Sequence, residues 1–216
     1  MLQVKSFCFN PFAENTYVVS AANGTCAIID PGCRSQAEQT ALETYIRQNE
    51  LIPTYFLNTH CHLDHVFGNN FVYQSWKLPL RIHRAEQPVL DFAARTGDLY
   101  QVPCEPYEGA VEYLAAGDRW TLGGETIQCL FTPGHSPGSL SFYCSTSGWV
   151  ISGDVLFQGS VGRTDLPGGN MDLLLSSIRE QLFSLPEETM VYSGHGPATT
   201  IGSEKSSNPF VRIGSN

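Results

Sequence analysis

Short apolar runs separated by turn signals dominate the first part of the chain. Residues 4–9, 16–20 and 25–29 are rich in the residue types that strands favour, and Asn-Pro and Asn-Gly steps lie between them. Runs of this length joined by tight turns are typical of neighbouring antiparallel strands. We therefore expect the chain to begin with antiparallel sheet.

The pattern then changes to a helical period. Ala37, Ala41 and Tyr45 recur at helical spacing, Ser35 precedes them as a potential cap, and 35–49 contains no Gly or Pro. A surface helix is expected here, whereas 84–112 shows no clear period. The remaining apolar runs predict strands at 54–57, 80–83, 126–131, 140–144, 149–151 and 189–192, and a helix at 171–185.

The order of these elements predicts the architecture. The strands follow one another too closely for repeated crossover helices, which favours an α+β sandwich of two sheets with helices outside. No linker composition divides the sequence, so we expect one domain over residues 1–216, long enough for a sizeable core.

The composition mainly excludes classes of protein and partner. Hydrophobic residues make up 42% and charged residues 15% of the chain, which is ordinary for a globular protein. No apolar run approaches the length of a membrane span, and the N-terminus carries no export signal, so a cytoplasmic location is expected. The net charge of −9 argues against nucleic acid as a partner and leaves a small-molecule substrate. The oligomeric state is not predicted.

Seven cysteines are scattered along the chain, without a Cys-x-x-Cys motif. An odd number in this arrangement predicts buried, reduced thiols and neither a disulfide framework nor a cysteine metal site.

The segment Thr59-His60-Cys61-His62-Leu63-Asp64-His65 carries the strongest chemical signal, because four potential metal ligands follow directly on a predicted strand. In extended backbone, His60 and His62 point to one side, and Asp64 continues that parity. His65 can join them only if the chain turns there, as it would on entering a short helix. Gly68 and the two asparagines after it predict that this helix is brief.

Three further strand ends have a common form, in which an apolar run is followed by a glycine and a ligand-type side chain. They end in Gly134-His135, Gly153-Asp154 and Gly194-His195. A glycine allows a sharp bend and leaves room beside an ion. A lone Gly-His is more often only a turn, but three such strand ends along one sheet edge would bring their side chains to the first cluster.

Seven ligands are more than one ion ordinarily needs. They divide into His60, His62 and His135, and Asp64, His65 and His195, with Asp154 placed to bridge. Two divalent ions roughly 3.5–4 Å apart can share a hydroxide and polarise a carbonyl. Zinc is the first expectation, and iron or manganese would also suit these ligands.

Two neighbouring candidates have ordinary structural interpretations. His83 lacks the strand-glycine-ligand context and is expected to be a structural histidine. Cys61 lies between ligands but on the opposite face, which favours a core thiol over a ligand or nucleophile.

The order and spacing of the seven ligands resemble those of the metallo-β-lactamase-fold hydrolases, over nearly the whole chain. Asp30-Pro31-Gly32 and the segment from Thr132 to Ser139 are also similar to landmarks of that family. The resemblance implies a four-layer αββα sandwich with a two-metal site at one edge of its sheets.

Within this family, Gly162-Arg163-Thr164-Asp165 and the Pro-Gly-His-Ser-Pro-Gly segment are similar to the glyoxalase II and persulfide dioxygenase branch. The glyoxalase II resemblance implies hydrolysis of S-lactoylglutathione by a metal-held hydroxide. Asp64 would orient the hydroxide as well as bind metal, and Asp154 would bridge the ions. Arg163 would hold an anionic group of the substrate or pair with a loop carboxylate.

Other functions remain open at this point. Persulfide dioxygenases use one ferrous ion on two histidines and a carboxylate, which would here be His60, His135 and Asp154. A metal-stabilised binding domain without catalysis is a third alternative, and β-lactam hydrolysis is expected less. Larger glyoxalase II enzymes carry a C-terminal helical region that helps bind glutathione, whereas residues 196–216 alone follow His195 here, so a looser thioester specificity is also open.

Overall fold

The computed structural model describes residues 1–211 and contains two six-stranded sheets. The first sheet has the order β1-β2-β3-β4-β5-β6. Its strands are β1 (Gln3–Phe9), β2 (Glu14–Ser20), β3 (Thr25–Ile29), β4 (Ile52–Leu57), β5 (Leu80–His83) and β6 (Val111–Leu114). The first three strands pair antiparallel, as the turn signals predict, and β3 to β6 pair in parallel.

The second sheet has the order β14-β13-β10-β9-β8-β7, and β11 and β12 form a separate hairpin. The strands are β7 (Arg119–Leu122), β8 (Glu125–Phe131), β9 (Leu140–Cys144), β10 (Trp149–Gly153), β11 (Leu156–Phe157), β12 (Ser160–Val161), β13 (Met190–Ser193) and β14 (Thr199–Thr200). Because β9 is antiparallel to both β8 and β10, and β10 is parallel to β13, the chain leaves β8, β10 and β13 at the same edge.

Helices cover the outer faces of both sheets. They are α1 (Gln36–Gln48), α2 (Leu63–Val66), α3 (Asn69–Trp76), α4 (Gln87–Leu99), α5 (Met171–Ser177) and α6 (Ile201–Ser207). A 3₁₀ turn at Arg84–Glu86 precedes α4, and a π-helical turn at Ile178–Leu182 follows α5. Within residues 1–211, no helix is both long and apolar enough to cross a membrane.

Alternation along the strands explains the layering. In β2, Tyr17 and Val19 pack into the cluster between the sheets, while Val18 packs into the cluster beneath the first layer of helices. A third cluster joins Val150 of β10 to Leu174 of α5 on the far side of the second sheet. Three apolar layers between four structural layers make the αββα sandwich, so the fold prediction is confirmed.

Several local predictions differ from the structure. The predicted helix at 171–185 ends as a π-helical turn at Leu182. The segment 84–112, for which no element was predicted, contains α4 and the beginning of β6. The helix that follows the histidine motif is brief, but Gly68 does not end helical structure. Gly68 instead caps α3, where its amide donates to the carbonyl oxygen of Pro31 (2.7 Å) and its α-carbon packs against the thiol of Cys33.

Candidate metal centre

The structure brings all seven predicted ligand residues to one rim of the sandwich. His60, His62, Asp64 and His65 lie in the loop and helix after β4, while single residues follow β8, β10 and β13. Those three residues are His135, Asp154 and His195. Their roles as metal ligands remain a prediction.

The local backbone of the motif differs in one respect from the expected extended parity. Helix α2 begins at Leu63 with His62 as its cap, so Asp64 already lies in the first helical turn together with His65. The helix therefore starts at Leu63, two residues before the expected turn at His65. It separates the motif into two extended histidines and two helical ligands, which face different parts of the rim.

The first three histidines converge closely. The Nε2 atom of His135 lies 2.8 Å from His62 Nδ1 and 3.2 Å from His60 Nε2. The facing nitrogens of all three lie within 4.8 Å of one another, as a tetrahedral metal site with an open position would require.

A second set lies beside the first. Asp64 Oδ2 is 3.0 Å from His195 Nε2 and 3.8 Å from His65 Nε2. Asp154 contacts both sets, because its Oδ1 is 3.4 Å from His65 Nε2 and its Oδ2 is 3.5 Å from the Nε2 atoms of His135 and His195. A carboxylate in this position could bridge two ions.

The outer nitrogens of His135 and His195 have fixed partners. His135 Nδ1 donates to the carbonyl oxygen of Arg163 at 2.7 Å, and His195 Nδ1 faces the carbonyl oxygens of Phe12 and Ala13 at 3.1 and 3.2 Å. Because a carbonyl oxygen only accepts, each ring must carry its proton on Nδ1 and present Nε2 to the rim.

His60 is oriented through a two-step relay. The hydroxyl of Thr59 donates to Asp30 Oδ2 at 2.6 Å, so its oxygen accepts from His60 Nδ1 at 3.1 Å. The Nε2 lone pair of His60 therefore also points inward. Such outer partners are a regular feature of metal-binding histidines, since they fix the tautomer and the ring plane.

The two sets differ in the pKa values of their histidines. Burial, with the other histidines, lowers the pKa of His60 and brings that of His62 to about 3, and burial also lowers the pKa of His135. Metal ions bind the neutral imidazole, so this set favours a cation over protons.

The second set favours positive charge. Burial opposes the charged form of His195, but hydrogen bonds to Asp154 and Asp64 raise its pKa to about 10. The same carboxylates raise the pKa of His65 against burial, and His65 in turn lowers the pKa of Asp64. The negative charge that favours protonation of His65 and His195 would equally attract a divalent cation placed among these groups.

The donor set fits a bound cation. His65 Nε2 and Asp154 Oδ1 are buried and have no hydrogen-bond partner. Buried polar atoms are normally satisfied, because an unpaired one costs about 1–3 kcal/mol. These orphaned atoms face each other across the rim, and a bound cation would satisfy both.

Asp30 and Glu14 support His65 from behind and were not predicted as site residues. Asp30 Oδ2 lies 3.2 Å from His65 Nδ1, and Glu14 Oε1 lies 3.9 Å from the same atom. Asp30 also accepts from the Thr59 amide at 2.6 Å. With its oxygens engaged in this way, Asp30 is better placed to orient His65 than to bind metal, and its place in the Asp30-Pro31-Gly32 landmark was the available signal.

Glu86 joins two ligand loops and gave no signal in the sequence. Its buried carboxylate accepts from the amide of Cys61 (2.7 Å), the hydroxyl of Ser136 (2.6 Å) and the amide of Gly138 (2.6 Å). It thus ties the His60-His62 loop to the loop that carries His135.

Gly194 shows why a glycine precedes a ligand. A β-carbon there would meet Asp154 Oδ1 and, at 2.8 Å, the His65 ring. Gly153 has φ +53°, in the left-handed region that favours glycine, at a register shift between β10 and β13.

The two residues set aside in the sequence analysis lie outside the cluster. Cys61 is buried in the core beneath the first helical layer, and burial raises its thiol pKa. His83 accepts from the amide of Ala85 and packs on Phe131 at 4.7 Å. Arg163 lies at the cavity edge, where its side chain makes two hydrogen bonds of 2.7 Å to Asp165.

A cavity of about 1110 Å³ opens over this cluster. His62, Asp64, His135, Asp154 and His195 form its floor. Its size slightly exceeds the roughly 300–1,000 Å³ usual for small-molecule sites, and because these five residues line it, that part of the cluster is accessible to a substrate.

Comparisons with known proteins agree with this geometry. The family model for the metallo-beta-lactamase superfamily matches residues 9–195. The chain is 41% identical to the probable metallo-hydrolase YqgX of Bacillus subtilis, over 93% of each protein. It is 34% identical to the hydroxyacylglutathione hydrolase GloC of Haemophilus influenzae, again over 93% of each.

Two solved structures are similar throughout. The crystal structure of BLEG-1 B3 metallo-beta-lactamase matches with a TM-score of 0.90 and 38% identity, over 97% of this chain and 100% of that one. The structure of TTHA1623 in a di-iron-bound form matches with a TM-score of 0.86 and 37% identity, over 96% and 100%.

Proposed function

The chain belongs to the metallo-beta-lactamase superfamily and is, like its relatives, a metallo-hydrolase, and from this premise we propose that it hydrolyses thioesters. S-lactoylglutathione is the first substrate to test. The observation that carries the proposal is the set of seven inward-facing histidine and aspartate groups beneath an open cavity. The similarity to GloC supports the choice of a thioester.

The proposed metal ligands fall into the two sets described above. His60, His62 and His135 would hold one ion, while Asp64, His65 and His195 would hold a second. Divalent ions bound here would supply a hydroxide near neutral pH and a positive charge beside the oxygen that becomes negative when a carbonyl is attacked.

The protein side chains have separate tasks in this proposal. Asp154 contacts both sets and would fix their separation, and Asp64 would orient the nucleophile at the cavity floor. A thiolate leaves without a strong general acid, because the pKa of a thiol is near 8.5. Hydrolysis of a thioester therefore requires few groups beyond those of the cavity floor.

Release of free thiol from S-lactoylglutathione by metal-loaded protein tests this proposal. We expect turnover by the wild type and its loss in His62→Ala. His83→Ala is the matched control, since His83 lies outside the cluster. Equal rates in the wild type and His62→Ala would reject the proposal for this substrate.

Two other reactions serve as comparisons. The structural similarity to BLEG-1 B3 metallo-beta-lactamase makes nitrocefin the competing hydrolysis substrate, and faster turnover of nitrocefin would favour a β-lactam.

His60, His135 and Asp154 would also suit a mononuclear iron dioxygenase. Elemental analysis of protein purified without added metal, with oxygen uptake on glutathione persulfide, separates that alternative: one iron and rapid oxygen consumption would favour it.

Zinc is the first proposal for the metal, and the similarity to a di-iron-bound structure supports iron as the second. Histidine and carboxylate ligands suit either metal.

A further inference from the structure

The cavity above the metal centre has a wall very different from its floor. The wall consists of Phe12, Val89, Phe92, Tyr100, Val161 and Leu166, and we refer to these six residues as the apolar wall. They come from separate places: the β1-β2 turn, helix α4 and the residue after it, strand β12 and the loop that follows Asp165. Segments from four parts of the sequence therefore present apolar groups to one space.

The aromatic residues of the apolar wall are unusually open to solvent. Phe12 is 38%, Phe92 48% and Tyr100 51% exposed, although each is large and apolar. The rings of Phe12 and Tyr100 meet edge to face at 6.3 Å. Contiguous exposed apolar groups of this kind mark binding surfaces, because burying them against a ligand removes their contact with water.

Charge is scarce among the residues that line the cavity. Within residues 1–211 and apart from histidines, the charged lining residues are Asp64, Asp154 and Arg163. Both aspartates belong to the floor, and Arg163 is engaged with Asp165 in an exposed, two-bonded ion pair. Recognition of the carboxylates of glutathione would need basic groups, and the described part of the lining supplies one, which already has a partner; Arg95 lies outside the lining, over the Phe92 ring at 5.3 Å.

We infer that the substrate is a thioester with an apolar acyl group, which lies against the apolar wall, and that the protein makes little use of the charges of glutathione. The inference rests on the proposed thioester hydrolysis and specifies its substrate class. The carbonyl carbon lies over the floor, and the acyl chain extends between α4 and the loop that carries Leu166.

The expected preference follows from burial. Each methylene removed from water favours binding by about three- to fourfold. An octanoyl group should therefore exceed a lactoyl group by about a hundredfold or more in kcat/KM. An exposed ion pair has at most about a fivefold effect, so replacing glutathione with an uncharged thiol should change kcat/KM by less than that.

Four substrates test both parts of the inference: octanoyl and lactoyl thioesters of glutathione and of N-acetylcysteamine. We expect the octanoyl group to be preferred with either thiol. Preference for lactoyl, or equal rates with both acyl groups, would overturn the inference while leaving thioester hydrolysis intact. Turnover of none of the four would reject thioester hydrolysis itself, and the inference with it.

Binding without turnover gives an independent measurement. The thioethers S-octyl- and S-methyl-N-acetylcysteamine cannot be hydrolysed, and calorimetry should find the octyl compound bound at least about a hundredfold more tightly. Equal affinities would contradict an apolar acyl site.

Variants of helix α4 test whether the preference for an apolar acyl group depends on this part of the apolar wall. Phe92→Ser should lower the octanoyl-to-lactoyl ratio by about tenfold, since it removes a large apolar contact. Leu99→Ala is the matched control, because Leu99 is on the same helix, is 73% exposed and does not line the cavity. An unchanged ratio in Phe92→Ser, accompanied by a shift from dimer to monomer in solution, would assign the apolar wall to contact with a second copy of the chain and overturn the inference.

Discussion

The floor and the apolar wall of the cavity are built in different ways. Floor residues follow strand ends or lie in the short helix after one, are buried or half-buried, and are held by hydrogen bonds: His135 Nδ1 donates to the carbonyl oxygen of Arg163, and His195 Nδ1 faces the carbonyl oxygens of Phe12 and Ala13. The apolar wall comes from a turn, a helix face and loops, and its aromatic residues are about half exposed.

This difference separates chemistry from specificity. A change in the floor disturbs groups with a fixed geometry, because hydrogen bonds from behind set the ring planes and tautomers of His135 and His195. A change in the apolar wall alters the contact area and leaves the floor in place. Replacements in the floor should therefore abolish activity, and replacements in the wall should redistribute it among substrates.

The strongest test of the floor is His135→Ala. His135 Nε2 lies close to His60, His62 and Asp154, so its loss removes the central nitrogen of the cluster. Metal catalysis contributes several kcal/mol, and we expect kcat/KM on any accepted thioester to fall about a thousandfold or more.

Chelation of the wild type with EDTA should give a comparable loss, reversed by adding back a divalent metal. Elemental analysis of His135→Ala should show reduced metal content. Full activity in this variant at normal metal content would show that the floor does not act as proposed.

Glu86→Ala tests whether the two ligand loops depend on a shared anchor. Loss of the carboxylate leaves the amides of Cys61 and Gly138 and the hydroxyl of Ser136 without their acceptor. We expect the free energy of unfolding to fall by about 2–4 kcal/mol, which lowers Tm by roughly 5–12 °C, and activity to fall about 10- to 100-fold.

Glu86→Gln is the matched variant. Burial raises the pKa of the Glu86 carboxyl, because desolvation disfavours its charged form, and a neutral amide avoids that cost. The amide oxygen of Gln can still accept, so we expect at most a tenfold loss of activity. Equal damage by Ala and Gln would show that both oxygens are needed as acceptors, because the amide NH2 of Gln must face either the Cys61 amide or the donors of Ser136 and Gly138.

The sequence predicted the floor far better than the wall. Each floor residue stands in a pattern with a physical meaning, either the dense histidine and aspartate motif after β4 or a glycine after a strand, and these patterns converge once three strands end at one edge. Helix α4 gave no comparable signal, because Gly97 lies inside it and its apolar residues serve both the core and the cavity. Glu86 was missed because its three partners are distant in sequence.

Thr59→Val tests the relay behind His60 with a smaller expected effect. Valine preserves the branched shape but leaves His60 Nδ1 and Asp30 Oδ2 without the hydroxyl that joins them. Outer partners of metal-binding histidines typically contribute 10- to 100-fold, and we expect a loss of about tenfold in metal affinity, measured by competition with a chelating dye. Thr59→Ser retains the hydroxyl and should stay within about twofold of the wild type.

Arg163→Gln has the smallest expected effect and bears most directly on the boundary between floor and wall. The carbonyl oxygen of Arg163 holds His135 and is unchanged by the substitution, whereas its side chain is exposed and paired with Asp165. Because an exposed ion pair contributes at most about 1 kcal/mol, we expect kcat/KM on S-lactoylglutathione to change by less than about fivefold. A larger loss, confined to glutathione thioesters and absent with N-acetylcysteamine thioesters, would show that Arg163 leaves Asp165 to bind the substrate. The edge of the wall would then recognise charge as well as apolar surface.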